Sequence, residues 1–273
     1  MKRIVSLILS VMLAQCLSAQ FLDSAYIRCQ YQTKAKNFAG SEKISEDLFF
    51  LEAGRNSSKF YSYYDFFSDS TKQSLLSLGL SSVEIFEKTK GLKRGSADKV
   101  FKNYENNSLI FVSRVIAQNY WYQEEIEKQN WELTNDTLTV HHYLCYKATC
   151  KFRGREWIVW YAPEIPMMDG PWKLGGLPGL ILKADDAKGE FCFECRGISL
   201  LNSKTAIILP VEANRNKYIK TDGKTFMQIK RKSIEDLKSS LAAQGMTIVS
   251  VTDEKGLKRD IQKNLMNAIE NYE

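Results

Sequence analysis

Two apolar, alternating runs, Tyr143 to Phe152 and Arg155 to Tyr161, are separated only by Arg153-Gly154. A two-residue connection ending in glycine is a tight β-turn, so the runs must pair antiparallel in one register. Phe152 then faces Arg155, Cys150 faces Trp157, Ala148 faces Val159 and Tyr146 faces Tyr161, all on a largely apolar face. The opposite, wetter face pairs Lys151 with Glu156, Thr149 with Ile158, Lys147 with Trp160 and Cys145 with Ala162. A second hairpin is expected from Leu180 to Asp185, through Asp186 to Gly189, and back along Glu190 to Arg196. With Asp185 opposite Glu190, Leu180 meets Cys195, Leu182 meets Phe193 and Ala184 meets Phe191. Period-two chemistry of this length commits the centre of the chain to antiparallel sheet.

Between the hairpins, Tyr161 to Gly179 holds four of the five prolines, Pro163, Pro166, Pro171 and Pro178, together with Gly170, Gly175, Gly176 and Gly179. Prolines fix dihedrals and glycines permit close turns, so the segment reads as a shaped, semi-rigid loop. Phe152-Arg-Gly-Arg155, Trp157, Trp160-Tyr161, Glu164-Ile-Pro166, Gly170-Pro-Trp172 and Gly176-Leu-Pro-Gly-Leu-Ile181, approached through Cys145, Lys147 and Ala148, resemble the defining block of the GLPGLI family of exported Bacteroidota proteins. The similarity covers about 40 residues. It implies an exported envelope protein and carries no catalytic assignment to any residue.

The remaining sequence supports one α+β domain. Tyr26 to Lys36, Asp47 to Glu52, Lys59 to Phe66, Leu109 to Ile116 and Tyr120 to Ile126 read as strands, and Trp131 to Val140 continues the β character through a turn at Asn135-Asp136. Ser68 to Leu78 and Ser81 to Lys90 read as helices, the second opening with the capping spacing Ser81-x-x-Glu84. Ser233 to Gln244 forms an amphipathic helix before Gly245, Met246 to Val251 a strand, and Ile261, Leu265, Ala268 and Ile269 a stripe on a terminal helix. The expected architecture is a large, curved, half-barrel-like antiparallel sheet, similar to lipoprotein-carrier folds, with a short helical insertion and C-terminal helices on one face.

Lys2 and Arg3 followed by the apolar run Ile4 to Leu13 are a secretory signal, with cleavage expected after Ala19. Residues 1–19 are then the leader and residues 20–273 the single domain. Cys16 stands where a lipoprotein cysteine would, but Gln15 precedes it where a small residue is wanted. Loss of Lys2 and Arg3 lowers the formal charge from +6 to +4. That charge is spread, and the basic stretch Lys217 to Lys232 reads as a solvated helix face rather than a nucleic-acid groove. No later stretch approaches the ~20 apolar residues of a membrane span.

The sequence carries no nucleophile elbow, phosphate loop or helix-borne zinc motif, and no cofactor or metal is expected. His141 and His142, consecutive on an expected strand, point to opposite faces. Asp185 with Asp186, and Glu164 with Asp169, read as solvated acids in turns. The favoured disulfide joins Cys145 to Cys192 on the wetter face. The functional expectation is a periplasmic or outer-membrane-associated binding or assembly factor rather than an enzyme. Its partner is an envelope protein, an outer-membrane transport system or a small apolar ligand. The contact surface is expected at Trp157, Trp160, Tyr161, Pro166, Gly170, Pro171, Trp172, Gly176, Leu177, Pro178 and Gly179. The structural alternative is a plug in which Trp172, Leu177 and Leu180 close the core. The rival functions are an envelope hydrolase using carboxylates or a metal, and a copper-handling protein with a histidine, Cys145, Met167 or Met168 as soft ligands.

Overall fold

The computed structural model describes residues 21–210, 217–247 and 265–272. The leader, the far end of the strand expected from Met246 and Ile261 lie outside the described residues. Twelve strands make one sheet: β1 Phe21–Ala35, β2 Ser45–Ala53, β3 Ser57–Ser62, β4 Lys99–Asn103, β5 Ser108–Val115, β6 Gln118–Glu125, β7 Glu132–Val140, β8 Tyr143–Phe152, β9 Arg155–Ala162, β10 Leu180–Asp186, β11 Phe191–Ile208 and β12 Tyr218–Lys220. Their order is β12-β6-β5-β4-β3-β2-β1-β11-β10-β9-β8-β7. Every pairing is antiparallel except β12 on β6, which is parallel. Helices α1 (Tyr63–Ser77) and α2 (Ser82–Thr89) are inserted between β3 and β4, and α3 (Gly223–Glu235) and α4 (Leu237–Ala242) follow the sheet.

Connectivity alone forces this sheet to curl. Strands β6 and β7 lie ten spacings apart in the order, which would put them roughly 48 Å apart in a flat sheet at ~4.8 Å per spacing. The segment from Glu125 to Glu132 must nevertheless join them, and it reaches at most roughly 25 Å when extended. The two ends of the sheet are therefore drawn toward each other, giving the open half-barrel expected from the sequence.

The first hairpin has the expected register in full, from Phe152↔Arg155 to Tyr146↔Tyr161. The second is shifted by two: Ala184 faces Phe193 and Asp185 faces Cys192. A two-residue slip preserves the faces, so Leu182, Ala184, Phe191 and Phe193 are still buried together. The cause is Asp186, whose Oδ1 accepts from the amides of Glu190 and Phe191 at 2.7 and 2.8 Å and widens the turn.

Other elements depart from expectation for local reasons. Helix α1 begins at Tyr63 because Ser62 Oγ accepts from the Asp65 amide at 3.2 Å, ending at Ser62 the strand expected to run to Phe66. The expected capping box of Ser81 and Glu84 is present. Asn135-Asp136 is an irregularity within β7 rather than a turn, since the register shifts between Leu133 and Thr137. His141 and His142 are turn residues with φ of 47° and 76°, so the strand reading fails there. Asp236 separates α3 from α4 within the single helix expected. Leu265, Ala268 and Ile269 lie in non-helical chain, and Met266 bridges Phe38.

Candidate ligand-binding site

The loop between β9 and β10 turns inward, into the hollow that the curled sheet creates. Gly176, at φ 82°, makes the left-handed turn that ends the excursion. Gly179 packs so closely on β9 that an added Cβ would lie 2.4 Å from the Ala162 carbonyl oxygen. Of the expected contact residues, Gly170, Pro171, Trp172, Leu177 and Gly179 are buried, and so are Trp157 and Tyr161 in β9. Pro166, Gly176 and Pro178 are exposed, and Trp160 is half-buried on the opposite face of β9. Trp172, at φ 53°, packs its ring against Phe152 at 5.7 Å and Trp157 at 5.6 Å. A bulky residue holds that conformation only when its surroundings over-determine it. Seven of the eleven expected contact residues are thus buried, and the block packs mainly as the plug that the sequence also allowed.

Two buried lysines pin the plug to the far half of the sheet. Lys102 of β4, 2% exposed, donates to Asp169 Oδ1 at 2.7 Å and to the carbonyls of Leu174 and Gly170 at 2.6 and 3.1 Å. Lys173 of the loop donates to Glu124 and Glu270, both at 2.7 Å, and to the Tyr122 hydroxyl at 2.9 Å. Burial, with Glu270 alongside, pushes the Tyr122 phenol far up, so it stays protonated and donates to Glu270 Oε1 at 3.1 Å. Gln129 and Trp131, in the connection that spans the open seam, hydrogen-bond the loop backbone at Lys173 and Gly175. Ammonium groups cannot be buried without such partners, and each bond here ties a distant strand or seam residue to the loop.

The segment Leu265–Tyr272 is held beside the plug. Arg155 donates to Asp186 at 2.6 Å, Glu190 at 2.8 Å, Asn267 Oδ1 at 2.7 Å and the Ala268 carbonyl at 2.5 Å. The Asn267 amide donates to the Asn37 carbonyl, and the Asn271 amide to that of Arg153. Asp169 and Asp186, expected as solvated turn acids, are thus buried members of charged clusters.

Above the plug lies a cavity of about 440 Å³, within the range of small-ligand sites. Its walls include Phe49, Phe60, Val100, Phe111, Trp172, Phe191 and Phe193, with Met227 and Ile234 of α3 and Met266 and Ile269 of the final segment closing one side. The mouth is charged: Glu46, Asp47, Arg94, Asp98 and Lys230 line it. Burial pushes Asp47 up, against hydrogen bonds from Ser96, Ser62 and Leu48 that favour its charge. Burial also acts upward on Asp98, but Lys230, at 2.8 Å, and the Ser113 hydroxyl outweigh it and hold the carboxyl below its usual value. Such a lining has the shape and chemistry to suit an apolar body with a polar end. Trp172 is the residue through which the sequence-predicted block reaches it; Asp47, Asp98 and Lys230 carried no sequence signal beyond ordinary surface charge.

The five cysteines among the described residues are free thiols. Cys192 is half-buried beside Asp185, but Cys145 is buried, so the wetter face expected for both holds only for Cys192. Burial pushes the Cys145 thiol up to about 11 and that of Cys192 to about 12. No group of three or more His, Cys, Asp or Glu residues suited to a metal occurs among the described residues.

The sequence profile of the family described as N-glycanase peptide, N-terminal domain, matches residues 96–221, a span that includes the Pro/Gly block. Two solved structures of PNGF-II, in the P21 and C2 space groups, align with 77% of this chain at 16% identity and TM-scores of 0.51 and 0.50. The aligned chain spans about a third of their length, 34% and 33%, and the likeness shows a shared fold. A LolA superfamily protein from Nitrosomonas europaea aligns over 67% of this chain and 88% of its own, at 8% identity and a TM-score of 0.26, too low to bear on the fold. No curated protein matches the chain in sequence.

Proposed function

We propose that this chain is an exported, non-enzymatic binding protein of the GLPGLI type, working in the periplasm or at the outer membrane, that holds an apolar molecule or an apolar segment of an envelope partner. The observation that carries this reading is the aromatic-walled cavity of about 440 Å³ on the concave face, with its charged mouth. The Pro/Gly/Trp block serves it indirectly, by supplying Trp172 to the wall and by anchoring the two halves of the sheet to each other. Titration with the apolar dye N-phenyl-1-naphthylamine tests the reading. Saturable binding is expected at one site, weakened at least about tenfold by Met227→Trp, which fills the cavity from α3. Dye binding untouched by that substitution, or absent altogether, refutes it.

The match of residues 96–221 to an N-glycanase N-terminal domain favours a second reading, in which the chain presents glycan-bearing substrate to an enzyme rather than carrying a ligand. Retention on immobilised glycoprotein, lost after deglycosylation, distinguishes this reading from the first.

A further inference from the structure

We propose that the ligand of the cavity is a monoanionic amphiphile, a long-chain carboxylate whose alkyl tail lies among the aromatic walls and whose head is held by Arg94 at the mouth. The proposal rests on the cavity reading above and adds the chemistry of the ligand's polar end. Each acid that lines the cavity already faces a cation. Asp98 accepts from Lys230 at 2.8 Å, Glu270 accepts from Lys173 at 2.7 Å, and Glu46 lies 3.9 Å from Lys34. Asp47 accepts from the amides of Leu48 and Ser96, both at 2.7 Å, and from the Ser62 hydroxyl at 2.8 Å. Lys93, seated over the Tyr64 ring, acts on that carboxylate from farther off. Arg94 is the cation left over. It lines the cavity and is exposed, and among the described residues it has neither a hydrogen bond nor an ion pair.

The backbone that carries Arg94 is anchored. Gly95 packs so tightly on the start of α1 that an added Cβ would collide with Ser62 Oγ and lie 2.9 Å from the Asp65 amide nitrogen. The next residue, Ser96, is the amide donor to Asp47. The guanidinium therefore hangs from a fixed rim, and its planar fork of N–H donors matches a carboxylate through two parallel hydrogen bonds. Charge limits the head further. Asp47 and Asp98 line the same mouth, and one guanidinium neutralises one negative charge, so a doubly charged phosphate would leave a charge uncompensated beside them. An ammonium head would meet acids whose cations are in place and would leave Arg94 unmatched. Below the rim, Phe49, Phe60, Phe111, Phe191 and Phe193 suit an alkyl tail that has no polar group to satisfy.

Displacement of N-phenyl-1-naphthylamine from the full chain by decanoate, decanol, decylammonium and decyl phosphate at neutral pH tests the proposal. Decanoate should bind at least about fivefold more tightly than decanol, a gain within reach of a solvent-exposed bidentate pair. Lengthening the tail from octanoate to decanoate should tighten binding by about fourfold per methylene. In Arg94→Gln the decanoate-to-decanol preference should collapse to about one, and Arg94→Lys, which keeps the charge and loses the fork, should retain part of it. Decanol binding as tightly as decanoate, tighter binding of decylammonium or decyl phosphate, or a preference that survives Arg94→Gln overturns the proposal. Dye and decanol report the cavity, whereas the preference reports the head. If neither dye nor decanol binds, the cavity reading falls and this proposal with it; if both bind and decanoate has no advantage, this proposal alone falls.

Discussion

Replacing Lys102 with methionine tests whether the plug is what holds the curled sheet together. Methionine matches the length and much of the volume of the lysine stem, so the place opposite Leu109 on the sheet stays filled and the ammonium alone is lost. That ammonium is within 3.1 Å of three acceptors, Asp169 Oδ1 and the carbonyls of Gly170 and Leu174. Its loss leaves a carboxylate only 1% exposed without its counter-charge. Breaking a buried pair by removing one member costs about 3–5 kcal/mol, most of it the burden of the stranded charge. For a chain of this size that is a fall in Tm of roughly 6–20 °C. Urea unfolding followed by tryptophan fluorescence measures it directly, because Trp172 and Trp157 sit against the plug. Asp169→Asn in the Lys102→Met background removes the stranded charge and should recover more than half of the loss, while Asp169→Asn alone should be costly. A Lys102→Met variant that loses less than about 1 kcal/mol, or is not rescued by Asp169→Asn, would show that the ion pair does not anchor the loop.

Three further outcomes follow from the same geometry. Trp172→Ala should lower stability by about 3–5 kcal/mol because its ring wedges between Phe152 and Trp157, whereas the exposed Pro178→Ala should change it by less than about 1 kcal/mol; equal small effects in urea unfolding would restore the surface reading of the block. With Cys192 raised from 9.0 to about 12, its thiolate at pH 8 is roughly a thousandfold scarcer than in a free thiol. Iodoacetamide should therefore label the native chain very slowly and the five described cysteines fully once unfolded without reductant, and persistent protection of Cys145 and Cys192 together would instead reveal a disulfide. The Asp98 carboxyl is held below its usual 3.8 by Lys230, so its contribution to stability is present above about pH 4 and is lost as pH falls through the folded value. Lys230→Met removes the counter-charge and leaves only the serine hydrogen bonds against burial, so the urea-midpoint gap between wild type and variant should narrow from pH 6 to pH 3; a gap that widens would refute this assignment.

What the sequence discloses and what it hides divide along physical lines. The register of the first hairpin is legible because a two-residue Arg-Gly turn leaves it no freedom. The second slips by two because its turn is set by the Asp186 carboxylate, whose partners are backbone amides and have no sequence signature. The faces survive the slip, which is why the buried residues of β10 and β11 could be assigned correctly from an incorrect register. Strand β4, Lys-Val-Phe-Lys-Asn, is short and has polar residues at three of five positions, so its propensity is weak. Yet Lys102 shares its face with Val100, and a lysine on the apolar face of a strand is a signal that its partner is buried too.

The Pro/Gly block was harder to place for a different reason. Its composition says that it is shaped and says nothing about which side of the sheet it visits, because a loop has no period. A flat sheet would have left it on the surface, where rigid loops usually lie. The short connection from Glu125 to Glu132 is what changes the answer, since it curls the sheet and creates an inside large enough to need filling. Once that hollow exists, apolar residues such as Trp172, Leu174 and Leu177 are better placed within it than in water, and Lys173 must follow them in and find its counter-charges. Glu124 and Glu270, far apart in sequence and both beside Lys173, are therefore consequences of the curvature. The cavity between the plug, α3 and the final segment is what the filling leaves over, and its place in the fold is set by connectivity as much as by any residue that lines it.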